Sequence, residues 1–126
     1  KVRGRTAQVY SKAVRELTQY LAGKSRKFTI PIKLYGTEFQ KAVWERVREI
    51  PYGKTVSYKQ VAQDIGHASA ERSVGNALHN NPLLVIIPCH RVIDARGKLS
   101  GYALGTDIKR RLLCMEGAIQ NELELE

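Results

Sequence analysis

Two helix-start signals constrain this chain more than any other feature. Thr37-Glu38-Phe39-Gln40 and Ser57-Tyr58-Lys59-Gln60 each read as a capping box, in which the hydroxyl accepts a first-turn N–H and the glutamine reaches back. After the first box, Phe39, Val43 and Val47 fall on one helical stripe, widened by Ala42 and Trp44, and Pro51-Tyr52-Gly53 stops it. After the second, Val61 and Ile65 face inward until Gly66-His67-Ala68 breaks the helix. A further helix is predicted over residues 69–80, with Val74, Ala77 and Leu78 apolar. Two short helices joined by a tight glycine-containing turn spell either a helix-turn-helix or an ordinary helical hairpin.

The flanks are simpler. Residues 6–21 carry Tyr10, Val14, Leu17 and Leu21 at helical spacing, with Gly23 placed to cap the end. Phe28, Ile30, Ile32 and Leu34 then alternate, but Pro31 within the run allows only an edge strand or extended chain. The chain opens on Lys1 rather than Met, and residues 1–36 read as the end of a preceding unit with its link. The second unit is expected over residues 37–117, followed by a flexible acidic tail over 118–126. Within it, the apolar, β-branched run at 83–87 predicts a buried strand. Residues 94–105 form a Gly-rich loop. Thr106 is expected to cap a last helix carrying Ile108, Leu112 and Met115 inward.

Charge narrows the choice of partner. Lys and Arg number 21 against 12 Asp and Glu, a formal charge of +9. Such an excess suits a polyanion, because each neutralised phosphate releases counterions. No helix pairs a basic face with a broad aromatic one, so no membrane surface is expected as partner. No apolar run approaches a membrane span or a signal peptide. The two cysteines, Cys89 and Cys114, make neither a disulfide framework nor a Cys-x-x-Cys zinc pair. A reducing, cytoplasmic setting follows, with no metal and no cofactor called for.

The chemistry concentrates at Ile87-Pro88-Cys89-His90-Arg91-Val92. Pro88 ends strand pairing, so Cys89 is held at a fixed junction. A nucleophilic thiolate needs a tuned pKa, a nearby base and some access. Taken alone, a cysteine after an apolar run is more often a small core residue.

The hexapeptide in its setting resembles the active-site motif of the O6-alkylguanine-DNA alkyltransferase family. The resemblance runs from Gly36-Thr37-Glu38-Phe39-Gln40 through Ile50-Pro51-Tyr52-Gly53-Lys54-Thr55-Val56-Ser57-Tyr58, Asn81-Pro82 and the hexapeptide to Glu116-Gly117, about the last two thirds of the chain. It implies an α+β fold: a mainly helical C-terminal domain with a winged helix-turn-helix-like motif and short strands, preceded by the remnant of an N-terminal α/β domain. It implies the activity of a suicide methyltransferase that moves an alkyl group from O6-alkylguanine, with O4-alkylthymine as a second candidate substrate, irreversibly onto Cys89. By the same resemblance His90 is the base that takes the thiol proton, Glu116 orients and charges it, Tyr58 assists the leaving guanine, and Asn81 braces the turn. Tyr58, Val92, Tyr102, Ala103 and Leu104 would line the substrate pocket.

The resemblance also implies how DNA is met. An O6 adduct cannot be reached inside a duplex, so its nucleotide must be flipped out. The second helix of the helix-turn-helix would enter the minor groove on small residues, Ala70, Ser73, Gly75 and Ala77, while Arg72 fills the space of the flipped base. A monomer acting on double-stranded DNA is expected, in the nucleoid of a prokaryote or the nucleus of a eukaryote. Departures are visible: Asn76 stands where a small Gly is frequent, His79 where a basic residue is common, and Ala103 where some members have Ser. Leu104 is bulkier than the Gly of some relatives, which narrows the pocket. Cys114 and Trp44 read as core, and His67 as an exposed turn residue. Two other classes compete: a module of this fold that recognises alkylated DNA without transfer, whose members lack the acceptor cysteine, and a helix-turn-helix transcription factor.

Overall fold

The computed structural model describes residues 4–99 and 101–119, with side chains from residue 8 onward. The chain divides into two compact units, Lys1–Leu34 and Tyr35–Glu126.

In the first unit, helix α1 spans Gly4–Leu21. The expected stripe is not the buried one: Tyr10, Val14 and Leu21 are exposed, and Tyr20 is fully buried. The extended segment that follows explains the shift, because it takes the Glu16–Tyr20 face. The Glu16 carboxylate accepts the Thr29 N–H at 2.9 Å and the Thr29 hydroxyl, and the Phe28 ring lies 5.4 Å from that of Tyr20. No strand forms at 28–34, but the alternation holds, with Phe28, Ile30, Ile32 and Leu34 more buried than their neighbours.

The second unit is mixed α+β and mostly helical. Helix α2 (Glu38–Arg48) opens on the complete Thr37–Gln40 capping box. Helix α3 (Tyr58–Asp64) opens on half a box: the Ser57 hydroxyl accepts the Gln60 N–H, but the Gln60 amide turns to Asp64 Oδ1 at 2.7 Å. Helix α4 (Glu71–His79) packs against both α2 and α3, completing the helix-turn-helix. Val43, Trp44, Val47, Val61, Val74 and Ala77 form its core. Burying each such aliphatic side chain contributes about 1.5–3 kcal/mol. Trp44 adds direction, since its indole N–H donates to the Ala77 carbonyl at 2.8 Å. Ala77 is therefore a core residue, not part of the outward small-residue face expected of it.

Strand β1 (Val56–Ser57) precedes α3 and pairs in parallel with β2 (Val92–Ile93), Val56 against Val92 and Ser57 against Ile93. This pair ties the start of the helix-turn-helix to the end of the Pro-Cys-His-Arg segment. Residues 83–87 are not a strand. The Asn81 side chain captures the Leu83 N–H at 2.7 Å, and Val85 takes φ +75°, so the run folds into a tight turn with a bridge between Leu84 and Ile87. A β-branched residue in that backbone region is strained.

Helix α5 (Thr106–Met115) starts from Gly105, so Thr106 is its first residue rather than its cap. Its inward face is Lys109, Leu112 and Leu113, whereas Ile108 is 40% exposed. The helix ends in a Schellman motif: the Gly117 N–H bonds Cys114 O, the Ala118 N–H bonds Leu113 O, and Gly117 sits at φ +77°. Ala118 and the buried Ile119 thus continue the ordered fold past the expected tail boundary. The rest of that tail lies outside the described residues.

Candidate active site and nucleic-acid interface

Cys89 opens a single 3-10 turn, Cys89–Arg91, whose three side chains are all buried. The turn forms because the Arg91 N–H closes on the Pro88 carbonyl at 2.9 Å and the Cys89 N–H on Ile87 O at 2.8 Å. It directs Cys89 one way and the His90 and Arg91 heads toward the C-terminal end of α5.

Asn81 holds the thiol. Its amide Nδ2 donates to Cys89 Sγ at 3.0 Å and to Ile87 O at 2.8 Å, while Oδ1 accepts from Leu83. One side chain therefore braces both ends of the 83–87 turn and touches the sulfur. Burial pushes the Cys89 thiol above the usual cysteine value; the Asn81 hydrogen bond and the Lys109 charge pull it back. The resting group is a protonated thiol that needs a base to react.

His90 and Glu116 supply that arrangement. His90 Nε2 lies 2.8 Å from Glu116 Oε2, and neither side chain meets solvent. Burial holds the imidazole below its ordinary value, against the raising effect of Glu116, so His90 is neutral at rest. Nε2 is committed to the carboxylate. Glu116 is fixed by being the C-cap of α5, immediately before the Schellman glycine.

Arg91 completes the group, and no role was expected of it from the sequence. Its guanidinium grips Glu116 bidentately, Nε to Oε1 and Nη2 to Oε2, each 2.8 Å, and Nη1 reaches Ile50 O at 2.8 Å. The Tyr52 ring lies under it, 5.6 Å from Cζ. The fork geometry keeps Glu116 ionised and leaves its second oxygen shared with His90. The signal in the sequence was adjacency: an arginine next to a candidate base, in a segment otherwise apolar.

A cavity of about 480 Å³ opens onto the sulfur, lined by Cys89, Tyr58, Tyr102, Ala103, Gly75 and Arg72 among others. It is within the range of small-molecule sites. The sequence expectation for its wall included Val92 and Leu104, and neither lines it. Val92 is fully buried in the strand pair, and Leu104 is half exposed. Leu104 therefore does not narrow the cavity as expected. The Tyr102 hydroxyl is buried, and no hydrogen-bond partner reaches it among the described residues.

The outer side of α4 borders the same cavity. Arg72, Ser73 and Asn76 are exposed, Ala70 and Gly75 half-buried, and Arg72, Gly75, Asn76 and His79 reach the cavity rim. Gly75 has nothing within 4 Å of where a Cβ would stand. A glycine inside a helix costs about 1 kcal/mol relative to alanine, and here nothing in the protein requires it. The open space suits an external surface that must come close. Of the remaining residues, Cys114 is half-buried, and His67 is exposed with its ring edge-on to Phe39 at 5.5 Å.

A buried cysteine, histidine and glutamate at the foot of a helix-turn-helix are the arrangement of a nucleic-acid-binding protein that carries a thiol site. Residues 38–118 match the family described as 6-O-methylguanine DNA methyltransferase, DNA binding domain. The methylated-DNA–protein-cysteine methyltransferase of Methanosarcina acetivorans is 49% identical over 111 residues, 88% of this chain and 71% of that protein. The Mycobacterium tuberculosis OGT in complex with DNA superposes with a TM-score of 0.84 at 47% identity, covering 86% of this chain and 68% of that one. Schizosaccharomyces pombe Atl1, solved with damaged DNA containing O6-carboxymethylguanine, gives a TM-score of 0.59 at 34% identity over 67% of this chain and 80% of its own. The chain belongs to the 6-O-methylguanine DNA methyltransferase family. It spans 62–71% of the length of the first curated relatives it matches.

Proposed function

We propose that this chain repairs DNA by drawing an alkyl group from O6 of guanine onto Cys89, once per molecule. The observation that carries the reading is the Cys89 sulfur at the wall of the cavity, with Asn81 Nδ2 at 3.0 Å and the His90–Glu116 pair behind it. The thiol proton passes to His90 Nδ1, directly or through a water. The thiolate attacks the alkyl carbon in line, the carbon–O6 bond breaks, and its electron pair leaves on the guanine. The guanine anion recovers a proton, assisted by Tyr58 on the cavity wall. The products are a neutral thioether and an intact guanine. No acyl oxyanion develops, so no oxyanion hole is needed.

The charge and the α4 surface support a duplex partner met through the minor groove. A flipped nucleotide fits the dimension of the cavity, and Arg72 on its rim is placed to fill the vacated stack. The protein acts as a monomer in this reading.

The test is recovery of the substrate DNA. A duplex with one O6-methylguanine should return to unmodified guanine with the parent protein and remain methylated with Cys89→Ser, although both bind it. Recovery of guanine by Cys89→Ser would overturn the proposal; binding without repair by the parent would leave a recognition module instead.

A further inference from the structure

Lys109 is the least expected residue of α5. Its side chain has no solvent exposure, on the helix face it shares with Leu112 and Leu113. Nζ lies 3.4 Å from the Gly101 carbonyl oxygen and 5.8 Å from the centroid of the Tyr58 ring. Gly101, Tyr58 and Cys89 all line the cavity, and Lys109 does not. The ammonium therefore stands against two residues of the wall of the cavity that Cys89 also lines.

A buried lysine is costly, and a methionine would fill similar space at less expense in desolvation. Burial brings its pKa from 10.5 down to about 8, with Cys89 and Asp94 pulling the other way. It still carries its proton near neutral pH. Among the described residues, the ionisable groups that feel its charge are Cys89, His90 and Asp94, with Tyr58 against its head, and Arg91 and Glu116 lie beside His90. Arg91 and Glu116 neutralise each other in their bidentate pair. Cys89 and His90 sum to zero whether as thiol and imidazole or as thiolate and imidazolium. Asp94 lies outside this buried group and is tied to the backbone N–H groups of Arg96 and Lys98. Lys109 brings a positive charge that acts on the Cys89 sulfur.

We propose that Lys109 is a positioning residue for the transfer step, a cation fixed against the cavity wall by Gly101 O and the Tyr58 ring that stabilises the Cys89 thiolate. The inference rests on the alkyl-transfer reading and deepens it. As the S–H bond breaks, the proton passes to His90 and Lys109 keeps its own. The same cation opposes imidazolium at His90 and Glu116 favours it, so the proton taken from the thiol is held on His90 against the Glu116 carboxylate. Once the alkyl group is on sulfur, the thioether is neutral and the charge has departed with the guanine.

The experiment is the pH profile of Cys89 alkylation by iodoacetamide, read by peptide mass in the full chain without DNA. Parent, Lys109→Met and Lys109→Arg are compared. Removing a nearby opposite charge should raise the thiol midpoint by about one unit, slowing labelling about tenfold at neutral pH, while Lys109→Arg keeps the parent midpoint. If Lys109→Met does not fold, Lys109→Gln, which keeps a donor for Gly101 O, takes the same comparison. A rate lowered equally at every pH with an unmoved midpoint would overturn the proposal and leave Lys109 as wall support only. A parent Cys89 inert to iodoacetamide would overturn the alkyl-transfer reading as well, so the two failures are distinct.

Discussion

Glu116 Oε2 lies 2.8 Å from His90 Nε2 with both side chains sealed from solvent, and the same oxygen receives Nη2 of Arg91 at 2.8 Å. One carboxylate thus serves both an imidazole and a guanidinium. The arrangement orients the imidazole. It also makes Glu116 a structural group, because Arg91 is buried and depends on it.

Replacing Glu116 by Gln should therefore have two separable effects. Transfer should fall by about one to three orders of magnitude, the usual weight of a general base. Stability should fall by about 3–5 kcal/mol, because a buried guanidinium loses its counter-charge. Single-turnover rates measured well below the melting midpoint, beside a denaturant titration, separate the two. A folded Glu116→Gln protein reacting at the parent rate would remove Glu116 from the relay.

The pH dependence has a defined sign. Burial holds His90 below its ordinary value of 6.5, so the imidazole stays unprotonated as pH falls through 6.5. Reaction with free O6-benzylguanine should stay level through that point and decline only at lower pH. In the unfolded chain the same histidine takes a proton near 6.5 and the folded one does not. Its contribution to stability is complete above pH 6.5 and is lost as pH falls from there toward the folded pKa. A rate midpoint at or above 6.5 would contradict the neutral, desolvated His90.

Arg72 separates binding from flipping. It is exposed on α4 and borders the cavity. Arg72→Ala should sharply slow repair of duplex DNA, since unstacking costs a few kcal/mol that the side chain offsets. Reaction with free O6-benzylguanine should barely change, and the salt slope of DNA binding should shift by about one phosphate equivalent at most. Equal losses on duplex and free base would mean that Arg72 shapes the site itself.

The parts of this site governed by local chemistry were legible in the sequence. The Thr37 box and the glycine breaks act over a few residues, and each sits where its chemistry placed it, whereas the hexapeptide at 87–92 follows a turn and not the expected strand. What escaped was set by tertiary competition. Residues 83–87 have strand composition, but the Asn81 side chain offers their backbone a turn instead. Gln60 fits a capping box, but Asp64 one turn on is the better partner for its amide. Ile108 looked inward by hydropathy, yet the inward position goes to Lys109, because the face of α5 is chosen by the site it closes. No periodicity argument places a lysine in a core. Arg91 was hidden for the same reason, its partner being 25 residues away.

The central claim is transfer to one sulfur, once. Parent protein mixed with a molar excess of duplex containing O6-methylguanine, then digested and weighed by mass spectrometry, tests it most directly. The account predicts a plateau at one methyl group per protein, all of it on the peptide carrying Cys89 and none on that carrying Cys114. Continued loss of methyl from DNA beyond that plateau, or a methyl group on Cys114 with Cys89 untouched, would contradict it.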